Sequence, residues 1–265
     1  MIGARTSQGK TTLALQLAYD LASQGITVMF FSLEMTVAEM YERLFCHVKR
    51  VNNFQVLIGQ LAKDPTLAKE FEDFAESLAS LPLVITEGLG FTFEEVNESL
   101  EALAEKPQVV MVDYIQAARQ ATNEREAMNE YIRKFRQICI ENGIAGVMCS
   151  QINRLAMEKG NKNKLPGLEH LKGTGVLEEH ADVVILLHWD YFYTRKEEDK
   201  NKYKIIVAKN RKGRTGSHEV NFYPEFYGFD DIPEEDKLTV ADIETTFKAE
   251  QELGLDSKLD SKKES

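Results

Sequence analysis

Short apolar runs alternate with longer stretches of helical periodicity along most of this chain. Strand-like runs occupy residues 26–32, 82–86, 109–114, 144–150, 182–188, 204–209 and 219–223. Several of them are apolar without interruption, which is typical of strands covered on both faces. Between the runs, apolar residues recur at helical spacing in residues 11–24, 36–51, 67–81, 92–103 and 123–142. The pattern therefore predicts strands and helices in alternation.

This alternation predicts the fold class. Strands separated by helices form a mostly parallel, twisted sheet flanked by crossover helices, so we expect an α/β fold. The last strands follow one another closely, which indicates an antiparallel extension near the C-terminus. We expect one domain over residues 1–228 and an acidic tail over residues 229–265, with a short amphipathic helix at 240–253 and disorder over 256–265.

A glycine-containing loop near the first residue carries the clearest chemistry. Residues 4–12 read ARTSQGKTT, which fits the phosphate-loop pattern G-x-x-x-x-G-K-[ST] with Ala4 at the first glycine. Such a loop turns backbone N–H groups toward phosphates, and the following helix adds its positive end. Lys10 would bind the terminal phosphates, and the Thr11 hydroxyl would ligate Mg²⁺. An ordinary strand-to-helix turn is the alternative, but Gly-Lys-Thr before a helical apolar pattern favours nucleoside triphosphate binding.

The whole loop is expected to contact the nucleotide. The residues concerned are Ala4, Arg5, Thr6, Ser7, Gln8, Gly9, Lys10, Thr11 and Thr12. A phosphate loop normally follows a strand, yet only Met1 and Ile2 precede this one. This predicts a truncated first strand and favours a chain cut from something longer.

Three polar residues end or follow strand-like runs, where ligands of a parallel sheet bind. Asp113 stands where phosphate-loop enzymes place the acid of the Mg²⁺ water shell, although such a residue can also be a simple cap. Glu34 is placed either to orient or deprotonate an attacking water or to stabilise the start of the next helix, which Thr36 can cap. Gln151 can touch the γ-phosphate and report its loss.

A basic turn follows the run at residues 204–209. Residues 209–216 read KNRKGRTG. The turn has three interpretations: a solvated hairpin, a phosphate-binding patch for nucleic acid, or a cationic finger that reaches a triphosphate on a neighbouring subunit.

Composition and charge narrow the class of protein. No apolar run reaches the roughly 20 residues of a membrane span, and no signal-peptide pattern opens the chain. The cysteines at positions 46, 139 and 149 are far apart, which favours reduced, buried thiols in a cytoplasmic protein. Of the net charge of −11, residues 230–265 contribute −7, while residues 195–214 hold nine Lys/Arg and three acids. This basic strip is compatible with a strand of nucleic acid held in a narrow channel.

Taken together, these motifs resemble the C-terminal RecA-like motor domain of DnaB-type replicative helicases. The matching segments are residues 4–12, 30–35 (FFSLEM), 113–116 (DYIQ), 150–154 (SQINR), 171–182 (LKGTGVLEEHAD) and 206–216 (IVAKNRKGRTG). They occur in the family's order and span about residues 1–223. The resemblance implies a RecA-like phosphate-loop NTPase core.

The resemblance also implies roles for individual residues. Lys10 and Thr11 would bind phosphate and Mg²⁺, with Asp113 as the acid on the Mg²⁺ side. Glu34 would be the catalytic carboxylate and Gln151 the sensor. A pair at the subunit interface, Lys209 and Arg211, would act on the ATP of the neighbouring subunit. Single-stranded DNA would be held through its backbone by Lys172, Gly173, Thr174 and Gly175.

Some positions depart from the family pattern. Thr6 stands where proline is usual and Gln8 where methionine is usual, both tolerable in a loop that binds through its backbone. In the DNA-binding segment Lys172 replaces an arginine, which keeps the charge but loses the fork geometry, and Gly173 replaces an acidic residue.

The leading interpretation is an ATP-driven motor that forms a homo-hexameric ring, translocates on single-stranded DNA and unwinds the duplex. Its cofactors would be ATP and Mg²⁺, and its further partners a primase and a helicase loader. Two alternatives stay open: a RecA-like ATPase used for assembly or regulation, and a truncated ATP- and DNA-binding module that does not unwind DNA on its own.

Overall fold

A central sheet runs through the part of the chain that the computed structural model describes, residues 1–88, 93–103, 105–113, 124–152, 165–171 and 179–233. The strands are β1 (Ile2–Ala4), β2 (Val28–Ser32), β3 (Leu83–Glu87), β4 (Val109–Asp113), β5 (Ala145–Gln151), β6 (Val183–Trp189), β7 (Lys202–Asn210), β8 (Gly216–Tyr223) and β9 (Gly228–Asp231). The helices are α1 (Lys10–Ser23), α2 (Val37–Lys49), α3 (Asn53–Leu57), α4 (Pro65–Ala79), α5 (Phe93–Glu101), α6 (Glu124–Glu141) and α7 (Asp190–Thr194).

The strand order is β3-β2-β4-β5-β1-β6-β7-β8-β9. The pairs from β3 through β6 are parallel. The pairs β6–β7 and β7–β8 are antiparallel. The predicted fold class, a mostly parallel sheet with an antiparallel extension, is therefore confirmed.

Helices cover both faces of the parallel part, and neighbouring strand residues enter opposite cores. Phe30 packs with α1, α2 and α4 in one cluster, whereas Phe31 packs with α5 and α6 in the other. Both phenylalanines are fully buried. Because each face of β2 and β4 has a helix layer, every residue of these strands is buried, which explains why both are apolar up to their last residue.

The structure adds three elements that the periodicity did not predict. These are the short helices α3 and α7 and the strand β9. Within β9, Phe229 is buried in the main core, although the sequence placed it at the start of the tail. The first compact unit of the chain is Met1–Asp230. The helix predicted at residues 240–253 lies outside the described residues.

Local capping explains where α2 begins. The Thr36 hydroxyl accepts a hydrogen bond from Glu39 N, and the Glu39 carboxylate accepts one from Thr36 N, so the two form a capping box. The cap that the sequence predicted at Thr36 is therefore present. All three cysteines are buried and none forms a disulfide. None of the described helices is both long and apolar enough to cross a membrane.

Candidate nucleotide-binding site

The loop between β1 and α1 is tight and shaped by its backbone. Ser7 and Gly9 have φ angles of 64° and 76°, in the left-handed region that favours glycine. A Cβ on Gly9 would also lie 3.0 Å from the ring of Phe229. The Gln8 N–H donates to the Arg5 carbonyl at 3.2 Å and closes the turn. Backbone torsion and a neighbouring ring thus both require glycine directly before Lys10.

Helix α1 presents an open first turn at the end of this loop. Gly9 caps the helix without a side-chain hydrogen bond, and the fully described first turn contains no acidic residue. The N–H groups of a first helical turn have no partner within the helix, and they carry the positive end of its dipole. This end of α1 therefore suits an anionic ligand such as phosphate.

Three predicted residues meet beside the loop. The Lys10 ammonium donates to one carboxylate oxygen of Asp113, and the Thr11 hydroxyl donates to the other. Lys10 is 8% exposed and Asp113 is 3% exposed. The two come from distant parts of the sequence, and the sheet places the end of β4 next to the start of α1. Asp113 therefore contacts both of the first two residues of α1, as the site prediction requires.

Charge keeps this cluster in a defined protonation state. Burial alone lowers the pKa of Lys10, but Asp113, together with smaller contributions from Cys149 and Glu34, outweighs burial, so the pKa of Lys10 lies above its ordinary value. The buried Cys149 in β5 lies close to both charges. Burial, with a smaller contribution from Asp113, raises the pKa of the Cys149 thiol far above its usual range. The Lys10 amine and the Cys149 thiol therefore both keep their protons at neutral pH.

The carboxylate of Glu34 lies near the cluster at the end of β2. Ser32 is the register partner of Asp113, and the Leu33 N–H donates to the Asp113 carbonyl at 2.7 Å, so the two strand ends are joined. Glu34 is exposed, and it contributes to raising the pKa of Lys10. Glu34 therefore follows the same strand ends that hold Asp113.

The alternative role of Glu34, stabilising the start of α2, is filled by other residues. Thr36 and Glu39 form the capping box, and Glu87 accepts a hydrogen bond from Val37 N. The N–H groups of Val37 and Glu39 at the start of α2 are thus bound without Glu34, which favours a chemical role for its carboxylate.

Gln151 contacts the phosphate loop directly. It ends β5, its register partner in β1 is Ala4, and its side-chain amide donates to the Thr6 hydroxyl at 3.1 Å. A residue predicted only from its place at a strand end is therefore in contact with the loop that would hold phosphate.

Aromatic residues beneath the loop were not identified from the sequence. The Tyr203 hydroxyl donates to the Gln8 carbonyl, and the Phe222 and Phe229 rings stack with centroids 4.5 Å apart. The carbonyl and amide groups of the Gln16 side chain pair with the backbone of Phe229 at 2.9 and 2.8 Å. These contacts fix the base of the loop. They join residues about 200 positions apart in sequence, and no local spacing signals them.

The basic turn lies at the opposite ends of the strands from the phosphate loop. In the β6–β7 ladder Trp189 pairs with Tyr203, whose hydroxyl contacts the loop, whereas Val184 pairs with Lys209 and Val183 with Asn210. Lys209 is thus about 20 Å farther along β7 than Tyr203, at about 3.3 Å per strand residue. The structure does not bring Lys209 to the chain's own phosphate loop.

Arg211 is held locally at these strand ends. Its guanidinium donates to Asp182 at 2.9 Å and to the carbonyl of Glu179, and its backbone N–H donates to the Asp182 carbonyl at 2.9 Å. The arginine and Asp182 side chains are 41% and 63% exposed. An exposed ion pair of this kind stabilises a protein by less than about 1 kcal/mol, so the guanidinium can change partners at little cost. The predicted DNA-binding residues, Lys172, Gly173, Thr174 and Gly175, lie outside the described residues.

The donors at the site fit a hard divalent cation. Thr11 and Asp113 offer a hydroxyl and a carboxylate that already touch each other, and oxygen ligands of this kind suit Mg²⁺. The donor set therefore agrees with the predicted Mg²⁺, beside a loop shaped for phosphate.

Comparison with known proteins gives a consistent result. The sequence is 27% identical over 240 residues to the replicative DNA helicase DnaC of Bacillus subtilis (strain 168), covering 86% of this chain and 51% of the relative. It is 28% identical over 228 residues to a probable plasmid replicative DNA helicase of Chlamydia psittaci, covering 84% and 49%. The chain spans about half the length of these relatives.

Solved structures show the same fold. One that contains an ATPase domain superposes with a TM-score of 0.78 at 24% identity, covering 87% of this chain and 83% of that one. A DnaB-like replicative helicase, described with its interactions with primase, has the same TM-score and identity and is covered over 56% of its length. The family model for the DnaB-like helicase C terminal domain matches residues 1–231. The chain therefore belongs to the DnaB-like helicase C-terminal domain family.

Proposed function

We propose that this chain is the ATP-hydrolysing motor domain of a replicative DNA helicase, and that a neighbouring copy completes its catalytic site. The observation that carries the proposal is the separation of two groups of residues. Lys10, Thr11 and Asp113 meet at the phosphate loop, whereas Lys209 and Arg211 lie at the opposite ends of the strands. A site that needs both groups forms only between two subunits.

The binding half of the site is proposed to hold Mg²⁺ and ATP. Lys10 exchanges the Asp113 carboxylate for the terminal phosphates, and the loop N–H groups hold the remaining phosphate oxygens. Thr11 and Asp113 would hold Mg²⁺, which when bound neutralises charge on the phosphates. The raised pKa of Lys10 supports this role, because the ammonium stays charged throughout the neutral range.

Glu34 is proposed as the residue that activates water. Its exposed carboxylate accepts a proton from the attacking water, whose oxygen bonds to the γ-phosphorus as the bond from that phosphorus to the bridging oxygen breaks. The support is its position at the end of β2, within electrostatic reach of Lys10, together with a capping role already filled by other residues.

Gln151 is proposed as the sensor of the γ-phosphate. Its amide already contacts Thr6 in the loop, so a change in the phosphates alters a contact that β5 makes. A change at that strand end would pass to the segment that follows, which includes Lys172, Gly173, Thr174 and Gly175.

Lys209 and Arg211 are proposed to act in trans. In a ring of six subunits packed head to tail, the basic turn of each copy faces the phosphate loop of the next. The two cations would stabilise negative charge on the transferring phosphoryl group, a contribution on the order of 10³–10⁵ in rate for known fingers. The weak, exposed pair with Asp182 makes Arg211 available for this exchange.

Single-stranded DNA is the proposed track. The segment from Lys172 to Gly175 would hold DNA phosphates rather than bases, which makes travel independent of sequence. The support is the family match and the names of the relatives, which are replicative DNA helicases. We include a primase among the proposed partners because a structural neighbour is described with one, and a loader from the family resemblance.

The test combines ATP turnover and unwinding with a pair of matched variants. We expect Arg211→Ala to lower DNA-stimulated ATP hydrolysis at least about 10³-fold, with nearly unchanged affinity for a fluorescent ATP analogue. Arg214→Ala changes the same residue type in the same exposed turn and serves as the control. Hydrolysis is measured with poly-dT, and unwinding with a forked substrate in the 5′-to-3′ direction.

The other outcomes identify the alternatives. Loss of ATP-analogue binding in Arg211→Ala would place this residue in its own site and contradict the trans arrangement. Turnover without unwinding would indicate an ATPase used for assembly or regulation. Binding of ATP and DNA with only background turnover at high protein concentration would indicate a binding module.

A further inference from the structure

One tyrosine on α7 contacts both ends of the phosphate loop. The phenol oxygen of Tyr193 accepts a hydrogen bond from the Gln8 amide at 3.0 Å and one from the Arg5 guanidinium at 3.4 Å. The Arg5 guanidinium also lies over the Tyr193 ring, 5.5 Å from its centroid. Tyr193 therefore joins the first residue after β1 to the residue that precedes Gly9, the second glycine position of the loop pattern.

The Gln8 side chain is enclosed by this arrangement. It is 1% exposed, and its backbone carbonyl is bound by the Tyr203 hydroxyl. A buried amide that loses its hydrogen-bond partner destabilises the conformation that buries it. The loop holds Ser7 at a positive φ next to Gln8, a conformation that non-glycine residues adopt only when their surroundings enforce it. The contact with Tyr193 helps to enforce it.

Tyr193 is itself fixed from outside the loop. Its ring stacks on His188, with centroids 5.3 Å apart and planes 14° apart. His188 shares a hydrogen bond with Asp190 at 2.9 Å, and Lys204 donates to the other Asp190 oxygen at 3.0 Å. The phenol is therefore anchored to β6 and β7, and it meets the loop as a fixed group.

We propose that Tyr193 is a positioning residue for the phosphate loop, which it holds through Gln8 and Arg5 in the conformation that receives a triphosphate. In this role Tyr193 acts through its contacts with Gln8 and Arg5. The inference rests on the proposed function of the loop as an ATP site. It implies that α7 affects nucleotide affinity, which the loop motif and its spacing do not predict.

The first measurement needs no nucleotide. Tyr193→Phe keeps the ring on His188 and removes the hydroxyl, so the loop should leave its competent conformation more often. We expect hydrogen exchange of the loop amides at residues 5–9 to be roughly tenfold faster than in the wild type, with the thermal midpoint lowered by only about 2–6 °C, so that the protein stays folded at the assay temperature. Tyr191→Phe is the matched control, because that hydroxyl points to Glu197 at 3.5 Å in an exposed contact.

The second measurement is nucleotide affinity. Because apparent affinity falls with the fraction of competent loop, Tyr193→Phe should raise the Kd for a fluorescent ATP analogue with Mg²⁺ roughly tenfold. In turnover assays KM rises with little change in kcat, whereas a general loss of folded protein would lower the apparent kcat. Tyr191→Phe should match the wild type in both.

A double substitution tests the route of the effect. Gln8→Met removes the amide, so Tyr193→Phe should add less than about twofold to Kd in that background. If the two substitutions raise Kd by independent factors that multiply, the inference is overturned. It is also overturned if Tyr193→Phe shows the same loop hydrogen exchange and the same Kd as Tyr191→Phe. A different outcome would be faster loop hydrogen exchange in Tyr193→Phe while no variant, the wild type included, binds ATP. That outcome would refute the proposed function, and Tyr193 would then position a loop that serves another purpose.

Discussion

The buried pair of Lys10 and Asp113 makes a quantitative prediction about the protein without nucleotide. With 8% and 3% exposure, both charges are withdrawn from water and each stabilises the other. Asp113→Asn keeps the shape of the side chain and removes its charge, which leaves the Lys10 ammonium buried and uncompensated. Breaking a buried pair in this way costs about 3–5 kcal/mol of unfolding free energy.

Removing both charges should recover most of that loss. In the double variant Lys10→Met with Asp113→Asn no uncompensated charge remains, and we expect its unfolding free energy to lie within about 2 kcal/mol of the wild type. Urea unfolding followed by circular dichroism measures both effects. For an m-value of about 2.5 kcal/mol/M, Asp113→Asn lowers the midpoint by about 1.5 M.

A lysine on the surface provides the control. Lys69 pairs with Asp73 at 2.7 Å on α4, where both side chains are more than half exposed, so Lys69→Met should leave the midpoint unchanged. A wild-type midpoint for Asp113→Asn, or a double variant that loses the sum of the two single effects, would refute the idea that this pair is electrostatically coupled in the folded protein.

Three further predictions concern the site and its support. Glu34→Gln should lower ATP turnover by about 10²–10⁴-fold while analogue binding persists, and equal turnover would remove Glu34 from the chemistry. Phe229→Ala, at a residue 5% exposed against Phe222, should lower the unfolding free energy by about 3–5 kcal/mol in urea titrations; a neutral result would mean that β9 is dispensable. Burial lowers the pKa of His188, so the contribution of the neutral imidazole to the free energy of unfolding is fully present above pH 6.5 and declines as the pH falls below it. A free energy of unfolding that stays constant below pH 6.5, or that falls equally in His188→Gln, would contradict this.

Much of the fold was predictable because its signals are local. Strands buried on both faces give continuous apolar runs, as in β2 and β4, and the helix at Thr36 begins with a capping pair three residues apart. The phosphate loop was recognisable for the same reason, since Gly9, Lys10 and Thr11 act through adjacent positions. Asp113 followed from the rule that the ends of parallel strands meet at one edge.

The remainder depends on contacts that no spacing rule contains. Tyr203 in β7 and Phe229 in β9 contact the loop, and Tyr193 reaches it from a five-residue helix. Such contacts form only when the strands have assembled into the sheet. The sequence pattern therefore indicates an aromatic core but does not show that this core contacts the phosphate loop. The position of Lys209 and Arg211 at the opposite ends of the strands likewise follows from the antiparallel register of β7.

Mixing two inactive variants tests the shared site most directly. Lys10→Ala removes the phosphate-binding lysine, and Arg211→Ala removes the cation at the opposite strand ends, so neither variant alone should hydrolyse ATP with poly-dT. In randomly mixed head-to-tail rings, about a quarter of the sites pair an intact loop with an intact basic turn from the neighbour. The trans arrangement therefore predicts that ATP hydrolysis returns on mixing, up to about a quarter of the wild-type rate per subunit. Mixtures that stay inactive although both variants assemble, or an Arg211→Ala protein that is fully active alone, would contradict it.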